Sequence, residues 1–305
     1  LIPNNPIAQP NGAPTDGVRP LRRSYLFVPG SRPDRFAKAM EAGSDAVIID
    51  LEDAVAPGEK DRARTAVRDF LRQRAPGGPE LFVRVNAVRS RTGLADLLAL
   101  TEGAASLGCA GFLLPKADAA SDLRLAAGLL DEQGLAGELG ALIESAEGLE
   151  NVMEIAAGSG PRLSFLMFGG ADLSAELRVN LAWEPLVHAR ARIVHAAARF
   201  ALDAVDMPWI FLDDEEGYRQ ELVRSVALGF TARAAIHPKQ VAAIHESLMP
   251  PAEAVARAER VLAAFEAAGG GVCTLDGKLV EKPVVLTCRR ILAIARRSQG
   301  GEGRR

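Results

Sequence analysis

Ala46-Val47-Ile48-Ile49-Asp50-Leu51-Glu52-Asp53 is a run of four apolar residues that stops on a cluster of acids. Six further short runs share this grammar, each ending on polar or charged residues. They are Ser24–Val28 into Pro29-Gly30, Leu81–Val83 into Arg84-Val85-Asn86, Gly111–Leu114 into Pro115-Lys116, Gly140–Ile143 into Glu144-Ser145, Leu163–Phe168 into Gly169-Gly170-Ala171-Asp172, and Ala234–Ile236 into His237-Pro238. Runs so short, rich in Val, Ile, Leu and Phe, suit strands buried on both faces of a parallel sheet. Helical patterns lie between them, so the fold class is α/β, a (β/α)8 TIM barrel with a C-terminal helical and hairpin extension. In such a barrel the carboxyl ends of all strands share one mouth, where these scattered polar residues meet. The strand still needed for closure is placed at Met207-Pro208-Trp209-Ile210-Phe211-Leu212, before Asp213-Asp214.

Helices are expected over 33–42, 58–74, 94–107, 119–133, 148–157, 185–202 and 215–227, with Pro76-Gly77-Gly78-Pro79 turning the chain into the third strand. Residues 1–20, rich in Pro, Asn and Gly, read as a flexible tail, residues 21–248 as the barrel and residues 249–305 as an arm, either a lid or a subunit interface. Within the arm, helices over 250–268 and 283–297 flank a hairpin over 272–280 turned by Asp276-Gly277, and the basic residues 298–305 read as frayed.

In 305 residues, 25% are charged and the formal net charge is -3, which leaves no electrostatic footprint for nucleic acid. No apolar stretch approaches the ~20 residues that span a bilayer, so no membrane is expected. Cys109, Cys273 and Cys288 are too few and too scattered for a disulfide framework or a zinc site. A cytoplasmic protein in a reducing compartment is the expectation.

Glu144 and Asp172 end adjacent strands and are the candidate Mg²⁺ ligands, since magnesium takes one or two carboxylates and leaves other positions to water and substrate oxygens. An α-keto acid offers such an ion a carboxylate and a carbonyl, and the ion then acts as a Lewis acid. Gly170 and Ala171, with Gly169, let the backbone approach, and their amides are placed to hold the substrate carboxylate beside Asp172. Arg84 brings a permanent cation to bind developing oxyanion charge. Glu52 and Asp53 stand beside it, to orient Arg84 or metal-bound water. Against these readings stand structural ones. Each acid alone is a helix cap or a bridge partner, and Arg84 can simply pair with Glu52 or Asp53. His237 either caps its turn or touches substrate, whereas His188 and His195 read as surface or packing residues. Trp209 and Phe211 read as core fillers rather than a substrate wall. Arg22, Arg23, Arg32, Arg35 and Lys38 form a basic cluster, a solvated face or a landing for phosphates such as a coenzyme A tail.

The motifs at 26–30, 50–55, 84–86, 114–116, 143–145, 168–172 and 235–238 together resemble, in order, the signature of the HpcH/HpaI aldolase and citrate lyase β-subunit-like enzymes. The resemblance runs from about Arg23 to Arg296. It implies a (β/α)8 barrel and a Mg²⁺-dependent carbon–carbon lyase acting on a 3-hydroxyacyl thioester such as citryl-, malyl- or citramalyl-coenzyme A, with a keto acid and an acyl-CoA as products. It also implies a homo-oligomer, a trimer or hexamer, whose carboxy-terminal arm reaches a neighbouring subunit. By the same resemblance Glu144 and Asp172 are the metal ligands, Arg84 the charge-stabilising arginine, and Glu281 stands where relatives carry a catalytic aspartate. Ala232-Arg233 replaces a Gly-Lys pair, and Asp206-Met207-Pro208-Trp209 an Asp-Gly-Pro type of turn. A citrate lyase β-subunit acting on a citryl-acyl carrier protein, and a non-catalytic keto-acid-binding paralogue, are the alternatives.

Overall fold

Strand formation here follows burial on both faces: Ala46–Asp50 is buried at every position, as are Gly111–Leu114 and Leu163–Phe168. The computed structural model describes residues 21–302 except 76 and 105, with side chains to 296. The expected tail over 1–20, Pro76 of the turn and the last residues, 303–305, lie outside the described residues. Arg22–Ile244 belong to one compact unit, and the residues from His245 onward to a second.

The first unit is a closed parallel barrel of eight strands in sequential order. They are β1 (Ser24–Pro29), β2 (Ala46–Asp50), β3 (Glu80–Arg84), β4 (Gly111–Leu114), β5 (Glu138–Ile143), β6 (Leu163–Phe168), β7 (Asp203–Asp206) and β8 (Ala232–Ala235). Pairing of β8 with β1, Tyr25 opposite Ala234, closes the ring. Side chains alternate along each strand, and Tyr25, Ile48, Phe82, Leu113, Leu142, Phe165, Met167 and Val205 fill the interior. Phe165 packs tilted against Tyr25 at 5.0 Å and edge-on against Phe82 at 5.4 Å. Room for that ring comes from Gly140, where a Cβ would lie 2.1 Å from Phe165.

The seventh strand is not where the sequence puts it. Asp203-Ala204-Val205-Asp206 pairs with both neighbours, whereas Met207–Leu212 is the loop that follows. Pro208 lacks the amide that a ladder needs, and Phe211 is 50% exposed, so it is no core filler. Trp209 is half-buried, its ring 5.2 Å from Phe211 and its indole N–H donated to the Asp214 carbonyl. Asp206 points outward, because Val205 points in, and meets Arg190 and Arg233 between the barrel and its helices. Arg233 also pairs with Glu221 at 2.6 Å, so this departure from the family pattern lies behind the strands and away from the mouth.

At the amino ends of the strands Arg22 bridges Glu80 and Glu138, and Arg23 pairs with Asp45. This corrects the basic cluster. Six residues of β1 separate Arg22 and Arg23 from the mouth, some 20 Å of extended chain. Only Arg32, Arg35 and Lys38 follow β1, all exposed, and Arg32 is paired with Asp34.

In the second unit, helices Ala252–Ala267 and Lys282–Glu302 pack around Ala258, Val261, Val280, Val285, Cys288 and Leu292. Antiparallel β9 (Cys273–Leu275) and β10 (Lys278–Val280) form the expected hairpin, with Asp276 and Gly277 both at positive φ. The last helix continues to Glu302, past the frayed end expected from 298. No described helix is long and apolar enough to cross a membrane.

Gly140→Val is expected to cost about 1–3 kcal/mol, measured by urea unfolding, because the Phe165 ring has nowhere to go. Gly128→Ala, in a helix with no heavy atom near the added carbon, should instead stabilise by about 1 kcal/mol.

Candidate active site at the barrel mouth

Alternation carries the functional side chains inward. With Ile48, Phe82 and Leu142 in the core, Asp50, Arg84 and Glu144 lie two residues further on the same face, at the open end. Asp50 and Arg84 are also register partners on β2 and β3. Arg84 donates from Nε and Nη2 to the two Asp50 oxygens, both at 2.7 Å. The same carboxylate accepts the amides of Glu52 at 2.8 Å and Ala54 at 3.1 Å, which fixes the turn carrying the next acids. From behind, Lys60 donates to the Leu51 and Glu52 carbonyls, and Asn86, held by Asp96, donates to Leu51.

Glu52 is buried with Oε2 2.9 Å from Arg84 Nη1, an ion pair without hydrogen-bond alignment. Burial pushes its carboxyl up to about 7 against the pull of Arg84, and the charges of Asp53 and Asp50 add to the rise. Asp53 is 61% exposed and 3.8 Å from Arg84. Burial would lower Arg84, but its bond to Asp50 and the charges of Asp50, Glu52 and Glu144 hold it well above the usual arginine range.

Glu144 is buried just past β5, with Oε1 accepting the Lys116 amide at 2.8 Å. Burial, then the charge of Glu52, raise it to about 8; the Lys116 amide and Arg84 oppose the rise, and Asp172 adds to it. Asp172 is exposed in the first turn of helix Gly170–Leu177, whose opening amides, those of Gly170 and Ala171 among them, have no intrahelical partner. Gly169 caps that helix, and a Cβ there would sit 2.3 Å from Glu144 Cβ and 2.9 Å from its Oε2, so the glycine makes room for the Glu144 side chain. The mouth thus gathers Arg84, Glu52, Asp53, Glu144 and Asp172. The sequence reading missed Asp50 as the principal partner of Arg84 and gave Lys116 no role. Strand parity would have found Asp50, which shares the inward face with Arg84 one strand away.

Four other candidates stand outside this hydrogen-bonded set. His237 is exposed and accepts the Lys239 amide, a turn cap, while His188 and His195 are surface residues. Glu281 is exposed between β10 and the last helix, in the second unit.

Among the described residues no three of His, Cys, Asp and Glu are grouped to hold a metal. Magnesium commonly takes only one or two carboxylates and leaves its remaining positions to water and substrate oxygens. Two buried carboxyls whose proton affinity is raised, chiefly by burial, gain from such a cation beside them.

A closed parallel barrel with a locked arginine and buried carboxyls at its mouth has the build of an α/β-barrel enzyme. The chain belongs to the HpcH/HpaI aldolase/citrate lyase family, whose model matches residues 23–238, and its class is that of the carbon–carbon lyases. It is 37% identical to (3S)-malyl-CoA thioesterase of Cereibacter sphaeroides over 278 residues, covering 90% of this chain and 94% of that one. Citrate lyase subunit beta of Escherichia coli is 36% identical (90% and 93% covered), and L-malyl-CoA/beta-methylmalyl-CoA lyase of Rhodobacter capsulatus 33% (92% and 95%). Among solved structures, CitE of Mycobacterium tuberculosis in complex with magnesium, acetoacetate and coenzyme A superposes with a TM-score of 0.76 at 34% identity, covering 90% of this chain and 98% of that one.

A folded-state value near 8 for Glu144 against an ordinary 4.5 means that the native protein keeps a proton the unfolded chain has shed. Stability of the metal-free protein is then unpenalised below about pH 4.5, falls across the window and bears the full penalty above about pH 8. Glu144→Gln should flatten that fall and raise stability at pH 8 by a few kcal/mol in chelator, since each tenfold in proton affinity is worth about 1.4 kcal/mol; urea titrations at several pH values measure it.

Proposed function

We propose that this protein is a Mg²⁺-dependent lyase that cleaves a 3-hydroxyacyl-coenzyme A thioester of the malyl, citramalyl or citryl type, giving a keto acid and an acyl-CoA by retro-Claisen chemistry. The observation that carries the proposal is the neighbourhood of Glu144, a buried carboxyl pushed up to about 8, and Asp172, whose charge adds to that rise. These two would hold the ion, which supplies Lewis-acid polarisation to the substrate's hydroxyl and neighbouring carboxylate. The Gly170 and Ala171 amides bind that carboxylate at the helix start. Arg84, immobilised by Asp50, stands toward the developing oxyanion and needs no reorganisation as charge builds. Glu52 keeps Arg84 turned to the mouth from the third side, and Asp53 faces solvent beside it.

As the carbon–carbon bond breaks, its electron pair passes to the thioester portion as an enolate, and the hydroxyl proton leaves to the acidic cluster. Glu281, on the arm of a neighbouring subunit in a homotrimer or hexamer, returns a proton to the enolate carbon. A coenzyme A tail fits the exposed Arg32, Arg35 and Lys38 side of the rim, phosphate against cation. Free coenzyme A thioesters are favoured over a carrier-bound citryl group by the likeness to two relatives named for malyl-CoA. Three free cysteines are compatible with a cytoplasmic setting.

Incubation of the purified chain with malyl-CoA is expected to yield glyoxylate and acetyl-CoA only when Mg²⁺ is present. Glu144→Ala and Asp172→Ala should each lower turnover by roughly 100-fold or more, the loss of several kcal/mol of charge stabilisation. Free thiol without glyoxylate would assign thioester hydrolysis instead, and full turnover in chelator would end the proposal.

A further inference from the structure

Lys116 brings a second cation to the mouth, two residues past the end of β4. Its backbone has φ +48°, a left-handed conformation that costs a lysine about 1 kcal/mol and persists only where surroundings demand it. The demand is visible: in that conformation the amide donates to Glu144 Oε1 at 2.8 Å. The side chain is placed differently. Nζ lies 3.7 Å from Glu52 Oε1, outside hydrogen-bond reach, and the side chain is 49% exposed, against 12% for Arg84.

The two cations therefore differ in what they have left to give. Arg84 spends Nε and Nη2 on Asp50, and Nη1 faces Glu52. Among the described residues the Lys116 ammonium makes no hydrogen bond, so all three of its N–H donors remain. Although partial burial acts against it, the charges of Glu52, Glu144, Asp53 and Asp172 keep the ammonium protonated. The carboxyls at this mouth outnumber its two cations, and Arg84 is consumed in neutralising Asp50. A small oxo acid entering here needs a cation that is not already spent.

We propose that the Lys116 ammonium is a substrate contact, meeting an anionic oxygen of the bound oxo acid, while its strained backbone holds Glu144 in place. This rests on the reading of the mouth as an oxo-acid site. A pinned backbone and a free tip suit both roles at once, since the anchor stays with Glu144 as the ammonium turns from Glu52 toward the ligand.

Isothermal titration of Mg²⁺ alone, and of pyruvate into the Mg²⁺-loaded protein, tests the assignment on wild type, Lys116→Met and Lys116→Arg, with melting temperatures recorded for each. Lys116→Met is expected to raise the pyruvate Kd tenfold or more. Its Mg²⁺ Kd should stay unchanged or fall, because a positive neighbour has been removed, and Lys116→Arg should recover part of the pyruvate affinity. Wild-type pyruvate affinity in Lys116→Met would overturn the contact. So would loss of Mg²⁺ affinity in step with melting temperature in both variants, which would make Lys116 a prop for Glu144 alone. If wild type binds Mg²⁺ but no pyruvate, the oxo-acid reading itself fails, and this assignment with it.

Discussion

The doubly bonded pair of Arg84 and Asp50 is the constraint from which the mouth is built. Two strands in register bring the residues level, and strand alternation turns both inward above the packed core. A guanidinium fork matched to a carboxylate leaves one geometry for both partners. Asp50 has oxygen lone pairs to spare, and they take the amides of Glu52 and Ala54, so the ion pair also folds the acidic turn. Removing Asp50 would free the arginine and release that turn together.

What the pair leaves behind is a surplus of acid. Glu52 and Glu144 are both buried, and burial raises the proton affinity of each; the charges of Asp53 and Asp50 add to the rise at Glu52, and those of Glu52 and Asp172 to the rise at Glu144. In water these carboxyls would ionise well below neutrality; here burial and like charge move that ionisation upward. The acidity of the mouth and its demand for a cation are one electrostatic fact. Gly169 adds the steric half, since a side chain there would collide with Glu144, whose Cβ lies 2.3 Å from where the added carbon would be.

Most of the barrel was legible because buried parallel strands are short apolar runs with polar ends, a pattern that survives without any knowledge of neighbours. β7 escaped because two of its four residues are acids, while the apolar run beside it is a partly exposed loop broken by Pro208. Arg22 and Arg23 are near Arg32 and Arg35 in sequence but sit at the opposite end of a strand, a separation that composition cannot express. Glu144, Asp172 and Arg84 stood out as charges ending apolar runs. Asp50 did too, yet its role depended on a partner 34 residues away.

The sequence by itself determined the alternation of strand and helix, the barrel class and the set of polar residues at the strand ends, because each of these is encoded in local periodicity. Only the tertiary structure decided which of those charges are spent on one another. Arg84 is committed to Asp50 and Lys116 is not, Arg233 serves the back of the barrel, and Glu52 and Glu144 are buried beside other acids. These are consequences of register, burial and distance between residues far apart in the chain, and they exist only once the barrel has closed.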